Sequence, residues 1–253
     1  MKTVGHRRCK DQPPCSPRGR GGGRTRAARR TVRRAVFTAI AGLLSLAAGG
    51  VMNAPTFTPS DIISWAPHSF TGTTQYRLVE IDGRQAVEAN CTDGTASGLF
   101  YREDIDLTRT PIVEWEWRVD ETLTGIDETT RAGDDYPARL YLVDEAPILR
   151  WRTRALNYVW SSTSEPGSDW PNAFASQARM IAVAGAEHAG QGWRTERRNV
   201  LEDFRRHHDH EPDRINAVAV MTDCDNTGQQ TRAWYGNIRF LPESMQHPPF
   251  PPR

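Results

Sequence analysis

The chain has 253 residues, 38% of them hydrophobic, with 32 basic against 31 acidic side chains. That apolar share is enough for a packed core, and four cysteines are too few for a disulfide-dense mini-scaffold. The near-zero net charge hides an asymmetry: the first 34 residues are strongly basic and the remainder is acidic, which argues against a nucleic-acid partner for the folded part.

In chain order, residues 1–34 are rich in Arg, Gly and Pro and nearly devoid of apolar side chains. Such a stretch cannot offset its own ordering entropy. An uncharged run follows, "AVFTAIAGLLSLAAGGVM" from Ala35 to Met52, which closes on small residues. A basic start, an apolar middle and a small-residue end predict a secretory signal peptide, with leader and signal together over residues 1–54. Arg33-Arg34 adds a weak twin-arginine pattern. A retained membrane anchor is the alternative; the run is short for a span and only mildly apolar. Cleavage would leave no stable membrane span, and the expected location is periplasmic or secreted. The rest reads as one domain over residues 55–241, followed by a Pro-rich tail over 242–253.

That domain reads mostly as strands. Runs at 76–81 and 84–91 flank Asp82-Gly83, a two-residue hairpin signal. Strands are predicted next over 97–103 and 111–121. In the second, Ile112, Glu114, Glu116 and Arg118 alternate with Val113, Trp115, Trp117 and Val119. Further strands are predicted over 138–144, 156–162, 178–185, 215–223 and 232–241. One helix is predicted over 195–209, with Val200, Leu201 and Phe204 on one face, Thr195 as cap and Pro212 beyond its end. Many short strands and one short helix predict an all-β fold, an antiparallel β-sandwich of jelly-roll (galactose-binding-like) type. Most of Trp115, Trp117, Tyr141, Trp151, Tyr158, Trp160, Trp170, Trp193 and Trp234 are expected in its core.

Several polar clusters could carry chemistry. In "GDDYPARLYLV" (133–143), Asp134 and Asp135 precede a strand with Arg139 and Tyr141 on one face. In "ALNYVWSS" (155–162), Asn157 and Ser161 share a face. "MTDCDNTG" (221–228) places Asp223, Asp225 and Asn226 beside Thr227 and Gly228. Carboxylates spaced in this way can hold a hard cation, so Ca2+ is the one cofactor weighed here. The same residues also read as a plain turn with Gly228 at positive φ. Arg139 has Asp134, Asp135 and Asp223 as possible ion-pair partners. Glu114 and Glu116 lie two apart on a strand, the spacing a retaining glycosidase needs, or form a solvated face paired with Arg118. "HHDH" (207–210) contains metal-ligand types, but consecutive histidines do not share a helix face, and no metal is expected there. Cys91 and Cys224 read equally as a disulfide or as two buried thiols.

Taken in order, "GDDYPARLYLV", "ALNYVWSS", "ERRNVLEDF", "MTDCDNTG" and "AWYGNIRF" resemble a bacterial family catalogued as domain of unknown function 3047. The resemblance covers roughly residues 58–241 and includes Trp160, Arg198, Asn199, Asp203 and Thr227 besides the polar residues above. Cys224 departs from it, standing where a Thr or similar polar residue is more usual. The resemblance implies a single exported domain and no particular reaction.

The reading is therefore an exported β-sandwich that binds a carbohydrate or similar polar cell-envelope ligand. Asp134, Asp135, Arg139, Asn157, Asp223, Asp225 and Asn226 are the candidate binding residues. Two alternatives remain at this point. One is a glycan-cleaving hydrolase or lyase that uses paired carboxylates. The other is a structural envelope protein without a small ligand.

Overall fold

Alternation of apolar and polar residues dictates the layers. A computed structural model describes residues 54–146, 148 and 152–245. All but the last residue of the leader and signal predicted over 1–54, Trp151 and most of the Pro-rich tail lie outside these residues. In chain order the elements are β1 (Thr56–Phe57), helix α1 (Pro59–Ile62), β2 (Ala66–Thr71), β3 (Gln75–Ile81), β4 (Arg84–Cys91) and β5 (Ala96–Tyr101). There follow β6 (Ile105–Asp106), β7 (Ile112–Val119), β8 (Ala138–Asp144), β9 (Arg154–Trp160), β10 (Asp169–Pro171) and β11 (Ala178–Ala184). Last come β12 (Arg194–Asn199), helix α2 (Val200–His208), β13 (Arg214–Ile215), β14 (Ala217–Asp223) and β15 (Thr231–Leu241).

Two sheets face each other in an antiparallel β-sandwich of jelly-roll type. The first has the order β12-β7-β15-β4-β3, with β1 against β15; the second runs β10-β11-β9-β8-β14-β5-β2. One neighbour pair departs from the expectation: β9 and β11 run parallel, because the β10 strand lies between them in sequence and pairs with the outer side of β11. The Asp82-Gly83 hairpin closes as its residues require, with φ of 52° and 69°.

Strand β7 shows the alternation at work. Val113, Trp115, Trp117 and Val119 are buried, while Glu114, Glu116 and Arg118 are partly exposed on the other face. The Trp115 ring stacks on Tyr158 of the opposite sheet at 5.1 Å, and Trp117 meets Trp160 edge-on at 5.7 Å. These pairs join the layers across the core. The second sheet also buries part of its outer face, where Tyr136, Val159, Trp170, Met180 and Ala182 form a smaller apolar cluster. Trp193, only partly buried, is an exception among the expected core aromatics, and so is Tyr141. Tyr141 alternates with the core residues Leu140 and Leu142 and so points away from the first sheet.

The predicted helix over 195–209 is half strand. Residues 194–199 pair with β7 from Trp117 to Ile112, and the helix begins only at Val200. The apolar period starts there too, so Thr195 is no cap; Asn199 Oδ1 accepts the Glu202 amide instead. The helix ends at Asp209 in the left-handed region, before Pro212 is reached. Its histidines diverge: His207 lies 3.4 Å from Asp169, His208 bonds the Ala155 carbonyl, and His210 bonds Asp144. Edge strand β2 carries no alternation and is exposed throughout.

Cys91 and Cys224 form a disulfide between the end of β4 and the turn after β14, with Cα atoms 6.1 Å apart. It closes a separation of 133 residues. Reducing it, or replacing both residues with Ala, is expected to lower the unfolding free energy by about 3–5 kcal/mol, read by urea denaturation. A second expectation concerns pH. Burial lowers the pKa of His207 and His208 from 6.5. The unfolded chain therefore takes up protons that the folded chain refuses, and their contribution is full above 6.5 and lost as pH falls toward the folded values. Urea midpoints measured from pH 8 to pH 5 are expected to fall less steeply in His207→Gln/His208→Gln than in the parent.

Candidate functional site

The outward face of the second sheet is set by register. Tyr141 of β8 lies opposite Ala219 of β14 on one side and Asn157 of β9 on the other; Arg139 lies opposite Met221 and Val159. These residues alternate with core positions, so their side chains share the face turned away from the first sheet. A concavity of about 340 Å3 opens on that face. Its lining includes Asp134, Arg139, Asn157, Asp223, Asp225 and Asn226, joined by Tyr141, Asn172, Phe70 and Phe174.

Six of the seven residues singled out in the sequence thus converge on one cavity. Asp135 does not line it. It is fully buried beneath the turn 225–228, where Oδ1 accepts the Asn226 amide at 3.1 Å and Oδ2 accepts the Thr227 amide at 2.6 Å. The turn closes with the Gly228 amide on the Cys224 carbonyl, and Gly228 has φ of 69°. "MTDCDNTG" is therefore a turn held by a carboxylate from another strand end, and it presents Asp225 and Asn226 to the cavity.

Arg139 and Asp223 are both buried, and they form a bidentate ion pair through Nε and Nη2. Arg139 Nη2 also donates to the Asp134 carbonyl, and Nη1 donates to the Tyr141 hydroxyl at 3.0 Å. The guanidinium lies 4.2 Å from the Tyr136 ring centroid. Burial pushes the Asp223 carboxyl up to about 8, against the pull of Arg139. Asp134, also buried, is raised for the same reason and is held by Asn172 Nδ2 at 2.9 and 3.0 Å. Asp135, Asp223 and Asp225 each bring a carboxylate oxygen within 4.8 Å of the others. Two of those three carboxylates already accept the Arg139 guanidinium or backbone amides, so a Ca2+ ion there would compete with protein donors.

Asn157 stands apart. It is 1% exposed, lines the cavity, and its Oδ1 has no hydrogen-bond partner. A buried amide acceptor left unpaired costs free energy unless something outside the chain meets it. Phe70 and Phe174, by contrast, are 57% and 54% exposed. Phe174 rides on a turn whose amides at 174 and 175 donate to Asn172 Oδ1, so Asn172 shapes both the turn and the Asp134 contact. Sequence reading missed Phe70, Asn172 and Phe174. Phe70 and Phe174 carry only the signal of an apolar residue in an unpatterned segment, and Asn172 that of a polar residue after a proline.

Glu114 and Glu116 lie on the other sheet. Glu114 pairs with Arg239 at 2.7 Å and Arg197 at 3.4 Å, and Glu116 bonds Asn237 and Arg84. Arg118 is not their partner; it pairs with Asp82 and Asp120. Arg198, Asp203 and Tyr158 form a separate buried cluster, with Asp203 accepting from both others.

Arg139→Met would leave Asp223 buried without a counter-ion and is expected to cost about 3–5 kcal/mol by urea denaturation. Arg139→Met/Asp223→Leu is expected to recover most of that loss. A double variant as unstable as the single one would show that the ion pair is not the source of the effect.

Among solved structures, the chain is similar to the family 11 carbohydrate-binding module of the cellulosomal cellulase Lic26A-Cel5E of Clostridium thermocellum. The identity is 12%, over 75% of this chain and 95% of that one, with a TM-score of 0.42. It is also similar to the family 30 carbohydrate-binding module of Cel9D-Cel44B from the same organism, at 9% identity over 75% and 98%, with a TM-score of 0.43. A third is the glycoside hydrolase domain of Endo-D from Streptococcus pneumoniae R6, at 8% over 70% and 21%, with a TM-score of 0.38. No curated protein matches the chain. The family model described as protein of unknown function, DUF3047, matches residues 63–239, and the chain belongs to that family.

Proposed function

We propose that this protein is an exported binding module that takes a carbohydrate or similar polyhydroxylated ligand in the cavity on the outer face of the second sheet. The observation that carries the reading is Asn157. It lines an open concavity, and its amide oxygen is buried without a partner, a deficit that a ligand donor would meet once the amide turns toward the cavity. The aromatic residues Phe70, Phe174 and Tyr141 supply flat apolar surface beside it, and Asp134, Asp225 and Asn226 supply polar groups. Rings for the C–H faces and planar polar groups for the hydroxyls are what a sugar requires. The volume is at the lower end of ligand sites, in keeping with one or two sugar units. Export is supported by the signal-like run at 35–52 and by the Cys91–Cys224 bond, which belongs in an oxidising compartment. Among the described residues, no helix is long and apolar enough to cross a membrane.

The reading as a ligand-free structural protein needs the polar cluster to be closed. Asp135 and the Arg139–Asp223 pair are closed, but Asn157 is not. The experiment is a glycan array probed with the full chain, followed by calorimetry on any hit and an assay for released reducing ends. Binding without turnover is expected. Phe174→Ala is expected to weaken binding about tenfold with little change in stability. Asn157→Val is expected to weaken binding while leaving the unfolding free energy unchanged or about 1 kcal/mol higher, because it removes an orphaned acceptor. Unaltered binding by Asn157→Val would overturn the reading.

A further inference from the structure

The lining of this cavity is unbalanced in charge. Asp134, Asp223 and Asp225 contribute three carboxyl groups, and Arg139 contributes the one basic side chain that lines it. That guanidinium is already committed to Asp223, the Asp134 carbonyl and Tyr141. Arg131, nearby in the fold, lies 5.1 Å over the Phe174 ring and bonds the Ala173 carbonyl, and it does not line the cavity. Neither Asp134 nor Asp225 has a salt-bridge partner among the described residues. Asn172 bonds Asp134 and Asn226 bonds Asp225, both neutral amides, while the Arg139 charge acts on Asp134 from beyond ion-pair distance. Asn157, whose buried Oδ1 has no partner, lines the same wall.

Resting on the reading above, we infer that the site selects a sugar bearing a free ammonium group, such as a glucosamine unit, over its neutral counterpart and rejects a uronate. The unpaired carboxylates accept hydrogen bonds, and an ammonium group offers three donors and the counter-charge that Asp134 and Asp225 lack. The exposed ring of Phe70 favours a cation further. A carboxylate on the ligand would meet no uncommitted cation on this wall and two like charges. Burial holds the Asp134 carboxyl above its ordinary value, so its ionised form is the one that gains most from a counter-ion brought by the ligand.

The test is calorimetric titration of the full chain with matched β-1,4-linked tetrasaccharides of glucosamine, N-acetylglucosamine, glucose and glucuronic acid. Glucosamine is expected to bind at least tenfold tighter than glucose at low salt, with the advantage shrinking as salt rises, and glucuronate is expected not to bind. N-acetylglucosamine, with the same skeleton and no charge, is expected to fall with glucose. Asp134→Asn/Asp225→Asn is expected to reduce the ratio of glucosamine to glucose affinity to about twofold, read from titrations of both ligands on the same variant. Equal binding of glucose and glucosamine, a preference for glucuronate, or an advantage unchanged in the double variant would overturn the ammonium preference and leave the carbohydrate site standing. Binding of none of the four would overturn both.

Discussion

The buried pair of Arg139 and Asp223 is the interaction on which the outer face of the second sheet depends. Two adjacent strands, β8 and β14, would otherwise end in unpaired charges inside the protein. Joined, they fix each other and recruit their surroundings: Asp223 Oδ1 also takes the Tyr136 amide, and Arg139 reaches the Asp134 carbonyl and the Tyr141 hydroxyl. The segment 134–136 is thereby laid across the ends of these strands. That placement puts Asp135 under the turn 225–228 and Asp134 at the cavity. A charge pair without water must have its remaining hydrogen-bonding capacity met, and the fold of this corner is the solution to that demand.

The opposite face of the same sheet is held by a different force. Aromatic rings from β7 and β9 meet across the core, and burial of their surface joins the layers. Close packing there is strict enough to leave the indole nitrogens of Trp115, Trp117 and Trp160 without acceptors. Asn157 is also unpartnered, yet its situation differs. The indoles lie among apolar neighbours with no opening, so their cost is absorbed by the packing they provide. Asn157 packs on the outward face at the edge of an open cavity.

The sheet has thus become two-sided. A sandwich needs only one face of each sheet to be apolar, and the polar outer face is normally wet. Here Tyr136, on the segment before β8, and Trp170, on edge strand β10, cover part of that outer face and convert it into a second small cluster. Beside this cover the face dips into the cavity. The rim is partly the edge strand β2, which contributes Phe70, and partly the turn shaped by Asn172.

Alternation with a period of two was legible in the sequence, and it was sufficient for the strands from 76 to 144, for the Asp82-Gly83 hairpin and for the sandwich class, because that period is a local property of extended chain. It failed where local pattern and partner disagree. Residues 194–199 are charged enough to look helical beside Val200, and only pairing with β7 makes them a strand. Strand β2 has no pattern at all and exists because β5 offers it an edge. Polar motifs were legible as a set: the residues after Gly133 and those around Asp223 stood out as dense acids beside an arginine. Which of them would be open and which closed was not legible, since Asp135 and Asp225 look alike in sequence. Their difference comes from contacts about 90 residues apart along the chain, where a backbone turn meets one carboxylate and leaves the other at the cavity. The chain's own order determined the strands and the stock of polar groups; tertiary packing alone decided which groups satisfy one another and which remain for a ligand, because hydrogen-bond satisfaction belongs to neighbours in space.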